Sequence, residues 1–365
     1  MNNSKQERIV FLDILRLLAV FLMIEGHSFD VFLSEKFRQS GTMFFDLWNL
    51  VRGITAPIFF FTTGTVFNYL LIKSENEKSN PRVKKGIKRG LLLVLIGYLL
   101  RYPTHTIVYF GDVTAKQWQI FFTVDALHVI GIGLLLIVLI YLAEKKIKFD
   151  LSFSYLVRAI IIFAISPFIN AFNWSSILPD YLAGYFYYGT GSIFPLFPWL
   201  GYIFAGAYFG SWLRKNSQTG LDSNGVLKLS IVTIFLFVIG FLFNHLENNY
   251  LNGFSYWHPN SAMVFYRLGI VIIIVLGISL IFKNDYKLPQ FLSKVSKNSL
   301  YIYIVHLIIL YGCAWFPGIN KYIGKSFTIF ESFILTIIIY LSVILLLFAK
   351  EKVTLRFIQN PKITS

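Results

Sequence analysis

The sequence of 365 residues contains one cysteine and little charge, since Asp, Glu, Lys and Arg make up 14% of it. A single cysteine, Cys313, cannot form a disulfide or a cysteine metal site within one chain, so it does not indicate a redox compartment. The low charge, with 56% hydrophobic residues and a mean hydropathy of +0.64, excludes an ordinary soluble globular protein. The formal net charge of +15 would favour a nucleic-acid partner for a soluble chain. In a membrane protein the positions of the cations matter more than their sum, so we expect no nucleic-acid partner.

Long hydrophobic runs occupy most of the chain. Runs of about 18 or more apolar residues, bounded by Pro, Gly, Asn or charge, predict transmembrane helices because about 20 residues cross a bilayer. The runs predict an all-α, polytopic integral membrane protein that forms a single transmembrane domain over residues 1–365 with about ten spanning helices. The predicted spans are 9–33, 45–72, 86–102, 119–142, 152–172, 194–213, 227–246, 261–282, 298–315 and 327–349.

Basic residues are concentrated in the N-terminus, the even-numbered loops and the C-terminus. Since Lys and Arg are retained on the cytoplasmic side, both termini are predicted to be cytoplasmic. The most basic connection, residues 73–89, includes Lys84, Lys85, Lys88 and Arg89. It either sets the topology next to anionic lipid or binds the phosphates of a nucleotide-bearing donor.

The first predicted span carries Asp13, Arg16, Glu25 and His27 at membrane depth, where a charged group costs roughly 3 kcal/mol. Arg16 and His27 are eleven residues apart, which places them on one helix face about 16 Å apart along the axis. Asp13 can pair with Arg16, and Asp30 can orient the ring of His27. Two interpretations stay open: an internal ion pair with a snorkelling histidine, or a functional site.

Further polar residues fall in the outer half of the predicted bundle. They are Arg52, Arg101, His105, Asp125, His128, Trp199, His258, Arg267 and His306. Titratable groups that converge in a low-dielectric layer indicate an active site, although Asp125 and His128 could equally form a structural hydrogen-bonded pair. No two histidines have the i, i+4 spacing of a helical zinc site, so no metal is expected.

Four stretches resemble membrane-embedded acyltransferases. Residues 12–27, LDILRLLAVFLMIEGH, are similar to their first helix, with an Asp and an Arg followed after ten residues by His. PIFFFTTGTVF from Pro57, FPLFPWLGYIFAG from Phe194 and SKNSLYIYIVHLIILYG from Ser296 resemble their later motifs. Two branches fit: acyltransferase family three, and bacterial relatives of heparan-alpha-glucosaminide N-acetyltransferase. In the animal heparan enzymes the histidine regarded as catalytic lies in the loop after the first helix, where this chain has Arg38.

The resemblance implies transfer of an acyl group, often acetyl, from cytoplasmic acyl-CoA to a hydroxyl or amino group of an extracytoplasmic glycan or lipid-linked acceptor. It also implies a multi-pass protein of the bacterial cytoplasmic membrane. The residues expected to be catalytic are His27, Arg16, Asp13 and Arg52, with His27 as general base or nucleophile. The residues expected to bind the donor are Arg16, Lys84, Lys85, Lys88 and Arg89. The residues expected to bind the acceptor are Asp125, His128, Trp199, Arg267 and His306.

A transporter or flippase for a lipid-linked or small anionic solute is the alternative. Such a protein also places Arg and His side chains at membrane depth. The sequence shows no matching pair of broken helices in two halves, which argues against this class. A third possibility is a membrane component of a larger assembly whose own site is degenerate.

Overall fold

The computed structural model describes residues 9–75, 80–216, 221–250, 262–282 and 286–359, and its fold is nearly all-α, as predicted. The helices are α1 Val10–Phe32, α2 Met43–Lys73, α3 Pro81–Leu100, α4 Ala115–Phe121, α5 Ala126–Ile147, α6 Leu151–Ala171, α7 Asp180–Ala183, α8 Leu196–Asn216, α9 Ser223–Tyr250, α10 Ala262–Ile281, α11 Gln290–Lys297, α12 Ser299–Tyr311 and α13 Ile329–Gln359. Two short strands, β1 Gly312–Cys313 and β2 Phe316–Pro317, form an antiparallel hairpin after α12.

Six of the described helices are long and apolar enough to cross a membrane. They contain the segments Met43–Lys73, Ala126–Ile147, Leu151–Ala171, Ser223–Leu246, Met263–Ile281 and Ile329–Lys352. These six agree with six of the ten predicted spans. The other four predicted spans correspond to α1, α3, α8 and α12, and for them the crossing, like the orientation of the termini, stays a prediction.

Two predicted spans are wrong in extent. The predicted span 119–142 is divided, because α4 ends at Phe121 and α5 begins at Ala126, where the Asp125 side chain accepts a hydrogen bond from the Leu127 N–H as a helix cap. The predicted span 298–315 ends at Tyr311, because Gly312 has a φ of +81° and starts the hairpin. Helix α12 therefore has 13 residues, too few to cross a bilayer unaided.

The chain divides into two compact units. The first comprises Met1–Leu15 and Ala56–Lys287, and the second comprises Arg16–Thr55 and Leu288–Ser365. Helices α1 and α2 each contribute residues to both units.

In the first unit, α2 and α8 approach closely through glycines. A Cβ on Gly64 would overlap the Ile203 carbonyl, and a Cβ on Gly206 would overlap the Phe61 carbonyl. Small residues allow such backbone contacts between membrane helices, where dispersion and hydrogen bonds drive association. The buried Asn68 amide strengthens this contact by donating to the Ala207 carbonyl at 2.6 Å.

A second glycine contact, between α3 and α5, positions a predicted site residue. A Cβ on Gly90 would lie 2.8 Å from the Gly131 carbonyl oxygen, so the two helices meet backbone to backbone. Two turns further along the same face of α3, a Cβ on Gly97 would lie 2.5–2.9 Å from three atoms of the His128 ring. The imidazole of His128 therefore packs directly on the backbone of α3.

In the second unit, the C-terminal part of α1 packs against α12 and α13. Its apolar core includes Leu17, Val20, Ile24, Ile302, Leu310, Ile339 and Val343. At the end of α1 the Phe327 N–H donates to the Phe32 carbonyl at 3.1 Å, and Leu33 and Phe327 form a parallel bridge. The apolar core holds the last turns of α1, with His27, against α12, and the backbone contacts tie them to the segment before α13.

Candidate active site

The ring of His27 lies between two side chains of α12. Its Nδ1 is 3.2 Å from the Tyr311 hydroxyl oxygen, and the two rings are perpendicular with centroids 5.6 Å apart. The second side chain is His306, whose ring centroid is 5.4 Å from that of His27. His27 is half-buried, so it combines a fixed environment with access from outside the core.

Asp30 completes a chain of hydrogen bonds that begins at His27. The Tyr311 hydroxyl donates to Asp30 Oδ2 at 3.1 Å. The other carboxylate oxygen, Oδ1, lies 3.3 Å from Arg38 Nη1 and 3.4 Å from Arg52 Nη2. The expected orientation of His27 by Asp30 thus runs through Tyr311 and is anchored by two guanidinium groups.

Arg38 also closes the C-terminal end of α1. Its guanidinium donates to the carbonyls of Phe29, Asp30 and Leu33 at 3.1, 2.7 and 3.1 Å. The last carbonyls of a helix have no intrahelical partner and carry the negative end of its dipole, so a buried cation satisfies both needs. The indole of Trp48 lies against both arginines, 5.7 Å from Arg38 Cζ and 5.3 Å from Arg52 Cζ.

His306 is fully buried and has a defined tautomer. Its Nδ1 lies 2.8 Å from the Ile302 carbonyl oxygen. Because a carbonyl only accepts, Nδ1 carries the proton and Nε2 carries the lone pair in the neutral ring. Within the described part of the chain, Nε2 has no hydrogen-bond partner. A buried imidazole with an unused acceptor beside a second imidazole can bind or move a proton.

Asp125 and His128 lie in the first unit and form a reciprocal helix cap. Asp125 Oδ1 accepts from the Leu127 N–H at 3.0 Å, and His128 Nδ1 lies 3.2 Å from the Asp125 N and 3.0 Å from its Oδ1. Arg101 Nε donates to Asp125 Oδ2 at 3.3 Å. These contacts give both side chains a structural role, and their predicted role with the acceptor stays a prediction.

Trp199 and Arg267, also in the first unit, belong to an aromatic environment. The Trp199 N–H donates to the Tyr188 hydroxyl at 2.9 Å, and the buried Tyr202 hydroxyl donates to the Val264 carbonyl at 3.2 Å. Burial raises the pKa of Tyr188 to about 12, although the Trp199 N–H and the nearby Arg267 cation lower it. The Tyr188 phenol therefore stays protonated over the physiological pH range.

The other predicted catalytic residues lie on α1. Helix α1 is continuous from Val10 to Phe32, so the eleven-residue spacing of Arg16 and His27 does place them on one helix face. Asp13 is buried and belongs to the first unit, whereas Arg16 is half-buried and belongs to the second. Of the remaining outer residues, His105 is exposed and His258 lies outside the described residues.

One comparison with known proteins identifies the family. The family model described as the catalytic domain of heparan-alpha-glucosaminide N-acetyltransferase matches residues 8–240, which is more than half of the chain. The chain belongs to this family. The resemblance to membrane-embedded acyltransferases is thereby confirmed, in its second branch. Neither a curated protein nor a solved structure matches the chain.

The heparan acetyltransferase family match covers part of the site described above. His27, Asp30, Arg38 and Arg52 lie within residues 8–240, whereas the α12 residues of the site lie beyond them. The family in general uses acetyl-CoA, whose phosphates need cations. Within residues 9–75, 80–216, 221–250, 262–282 and 286–359, no group of three or more His, Cys, Asp or Glu could hold a metal ion.

The beginning of α3 offers cations of the kind that an acetyltransferase of this family needs for its donor. Lys84, Lys85, Lys88 and Arg89 are exposed on its first turns, while Gly86 is buried on the opposite side. The Asn80 side chain caps the helix by accepting from the Arg82 N–H at 3.0 Å. The unpaired backbone N–H groups in the first turn of α3 and the positive end of its helix dipole add to this side-chain charge. Residues 76–79 of the same connection lie outside the described residues.

Three residues of the His27 cluster in this acetyltransferase-family chain are not predicted by the sequence patterns. Tyr311 was inside the motif that starts at Ser296 but carried no assigned role. No sequence pattern indicates Trp48, and Arg38 stands where the animal heparan enzymes have a histidine. The glycine after Tyr311 is a sequence signal for the end of a helix. In the structure Gly312 does end α12, with a positive φ.

Proposed function

We propose that this protein transfers an acetyl group from acetyl-CoA to a hydroxyl or amino group of an extracytoplasmic glycan or lipid-linked acceptor. One observation carries the proposal: in a chain of an acetyltransferase family, the half-buried His27 is tied to Asp30 through Tyr311 and lies beside the buried His306. Such an arrangement gives an imidazole a defined orientation in a partly dry site, as general base or nucleophilic catalysis requires.

The chemical step uses Nε2 of His27 as general base. Nε2 takes the proton from the acceptor O–H or N–H while the acceptor atom attacks the thioester carbonyl. The tetrahedral intermediate collapses, the carbon–sulfur bond breaks, and the coenzyme A sulfur leaves and receives the proton from the His27 imidazolium. Arg52, whose side chain is 47% exposed, supplies positive charge for the developing oxyanion.

A covalent version of the same step is compatible with these residues. In it, Nε2 of His27 attacks the thioester carbonyl, the carbon–sulfur bond breaks, and coenzyme A leaves as the thiolate. The acceptor atom then attacks the carbonyl of the acetyl-imidazolium, the carbon–nitrogen bond breaks, and the proton of the acceptor passes through Nε2 to the thiolate. Intact-mass measurement of the protein after mixing with acetyl-CoA alone distinguishes the versions. An acetyl group on His27 supports the nucleophile. Protein that stays unmodified with acetyl-CoA alone, but releases coenzyme A once an acceptor is added, supports the general base.

Donor binding is assigned to the basic face of α3 and to Arg16. The exposed cations Lys84, Lys85, Lys88 and Arg89 match the phosphates of coenzyme A in charge. We expect Lys84→Ala combined with Lys88→Ala to raise the KM for acetyl-CoA more than it lowers kcat, because phosphate contacts contribute binding rather than chemistry. Lys145→Ala with Lys146→Ala, exposed in the last turn of α5, serves as the charge-matched control.

Acceptor binding is assigned to Asp125, His128, Trp199, Arg267 and His306. Trp199 is buried and donates its N–H to the hydroxyl of the protonated Tyr188, so it holds in place the aromatic side chains against which a sugar ring can pack. Trp199→Phe keeps an aromatic face and removes the indole N–H. We expect it to change the KM for the acceptor and to leave the KM for acetyl-CoA unchanged.

The deciding experiment measures thiol release by the full-length protein in lipid nanodiscs, with acetyl-CoA and a panel of sugar and amino-sugar acceptors. Wild-type protein should release coenzyme A only with an acceptor of the right class. His27→Ala should abolish release, while His245→Ala, on an exposed part of α9, should retain it. Unchanged release by His27→Ala would reject the proposal, and solute flux in proteoliposomes without any thiol release would favour the transporter class.

A further inference from the structure

We infer that Tyr311 is a positioning residue, which sets the tautomer and the orientation of His27 by linking it to Asp30. The inference deepens the proposed function, and its kinetic test rests on that function. It concerns residues of the second unit only, namely the last turns of α1 and the end of α12.

The single proton of the Tyr311 hydroxyl determines the direction of the hydrogen bonds that link His27, Tyr311 and Asp30. The phenol has one proton, and a carboxylate oxygen can only accept, so the Tyr311 O–H donates to Asp30 Oδ2 at 3.1 Å. The Tyr311 oxygen then accepts from the imidazole, whose Nδ1 is 3.2 Å away. His27 therefore carries its proton on Nδ1, and the lone pair of the neutral ring is on Nε2.

Asp30 is restrained so that one oxygen is left for Tyr311. Arg38 Nη1 and Arg52 Nη2 both contact Oδ1, at 3.3 and 3.4 Å. Arg38 is itself held by three carbonyls at the end of α1, and its side chain is 10% exposed. The carboxylate therefore presents Oδ2 in a fixed direction, which the hydroxyl of Tyr311 follows.

The position of Tyr311 is set by the backbone that follows it. Gly312 has a φ of +81°, and an added Cβ would lie 2.6 Å from the Phe316 carbonyl oxygen. The hairpin of β1 and β2 pairs Gly312 with Pro317 and Cys313 with Phe316. This close backbone contact fixes the last residue of α12, which is the residue whose hydroxyl meets His27.

The kinetic test compares two identical substitutions in α12. Tyr311→Phe keeps the ring and removes the hydroxyl. We expect kcat for thiol release to fall about tenfold to a hundredfold, a part of the roughly 10²–10⁴-fold that a general base contributes, with the KM for acetyl-CoA unchanged. Tyr301→Phe is the matched control, because the Tyr301 hydroxyl donates to the Leu346 carbonyl at 3.1 Å instead. It should retain the wild-type kcat.

Asp30→Asn tests whether Asp30, Tyr311 and His27 act together through their hydrogen bonds. If Asp30 acts on His27 through Tyr311, the double variant Asp30→Asn with Tyr311→Phe should lose no more kcat than the more damaging single change. Losses that multiply would show that Asp30 and Tyr311 act separately, and would overturn the inference.

A spectroscopic measurement tests the tautomer without requiring activity. In the nitrogen-15 spectrum of histidine-labelled protein, the His27 signals are those lost in His27→Ala. Wild-type protein should show a protonated Nδ1 and an unprotonated Nε2, and Tyr311→Phe should populate both tautomers. An unchanged tautomer in Tyr311→Phe overturns the inference. Absence of thiol release by the wild type rejects the proposed function alone, since the spectrum still decides the role of Tyr311.

Discussion

At the scale of single residues, the buried His306 has an acceptor nitrogen that no described side chain or backbone group uses. Its Nδ1 proton is committed to the Ile302 carbonyl, and Nε2 is without a hydrogen-bond partner among the described residues. A buried polar atom left unpaired costs about 1–3 kcal/mol, so its retention needs a reason. Interaction with a substrate group or a shared proton beside His27 would provide one.

We expect His306→Gln to lower acetyl transfer by about a hundredfold or more, because the neutral amide cannot exchange a proton as imidazole does. Thiol release gives the rate, and thermal unfolding in the same nanodiscs reports whether the variant is folded. His245→Gln, in the exposed end of α9, should leave both measurements unchanged. A folded His306→Gln protein with the wild-type rate would restrict His306 to a packing role.

Arg38 is expected to contribute mainly to stability. It donates to three carbonyls at the end of α1 and to Asp30, and only a planar guanidinium can reach several acceptors in this way. We expect Arg38→Lys to lower the free energy of unfolding by about 1.5–3 kcal/mol, the contribution of hydrogen bonds to a charged group. Thermal unfolding measures this change.

Lys36→Ala is the control for Arg38, because Lys36 lies in the same connection with an exposed side chain. It should leave the unfolding temperature unchanged. Equal unfolding temperatures for Arg38→Lys and wild type would show that the four hydrogen bonds do not stabilise the end of α1.

At the scale of elements, apolar length predicted the helices well and their ends poorly. The six helices that can cross a membrane agree with predicted spans because apolar runs of that length have few other solutions. The errors fall where a local backbone or cap interrupts an apolar run, at Asp125 before α5 and at Gly312 after α12. Hydropathy alone cannot detect these ends, because the flanking residues remain apolar.

The site was predictable along one helix but not between helices. The shared face of Arg16 and His27 follows from helical geometry. The contact of His27 with Tyr311, in contrast, joins residues 284 positions apart in the sequence, and no local pattern specifies such a pair. For Asp125 and His128, the spacing predicted the hydrogen bond but not its role. The structure shows that this bond is part of a helix cap.

Gly97 provides a test of the contact between α3 and α5. The added methyl group of Gly97→Ala would lie 2.5 Å from the His128 ring, so the ring or the helix has to move. We expect a loss of about 1–3 kcal/mol in the free energy of unfolding, the usual cost of overpacking. Gly277→Ala in α10 has open space around its Cβ and should be neutral or stabilising by up to about 1 kcal/mol. Similar unfolding temperatures for both variants would contradict the packing of His128 on α3.

At the scale of the whole molecule, three of the described helices that fall short of the criteria for a spanning helix carry residues of the predicted site. Helix α1 carries His27, α3 carries the basic face, and α12 carries His306. Polar residues are tolerated at membrane depth where they face protein or a cavity rather than lipid. Helix α12 falls short by its length of 13 residues, and α1 and α3 carry several charged side chains, so a count based on length and apolar content omits them.

The crossing of α3 can be decided by labelling. Lys84, at the beginning of α3, and Ile177, between α6 and α8, are both exposed and can each be replaced by cysteine in a Cys313→Ser background. If α3, α5 and α6 all cross, three spans separate the two positions, so a membrane-impermeant thiol reagent should label Lys84→Cys only from the cytoplasmic side and Ile177→Cys only from the other. If α3 does not cross, two spans separate them, and both cysteines are labelled from the same side.

The basic residues beside Lys84 favour the first outcome, in which α3 crosses, because Lys and Arg are retained in the cytoplasm during insertion. Labelling of Lys84→Cys from the outer side would separate these cations from cytoplasmic acetyl-CoA and would contradict their assignment to the donor.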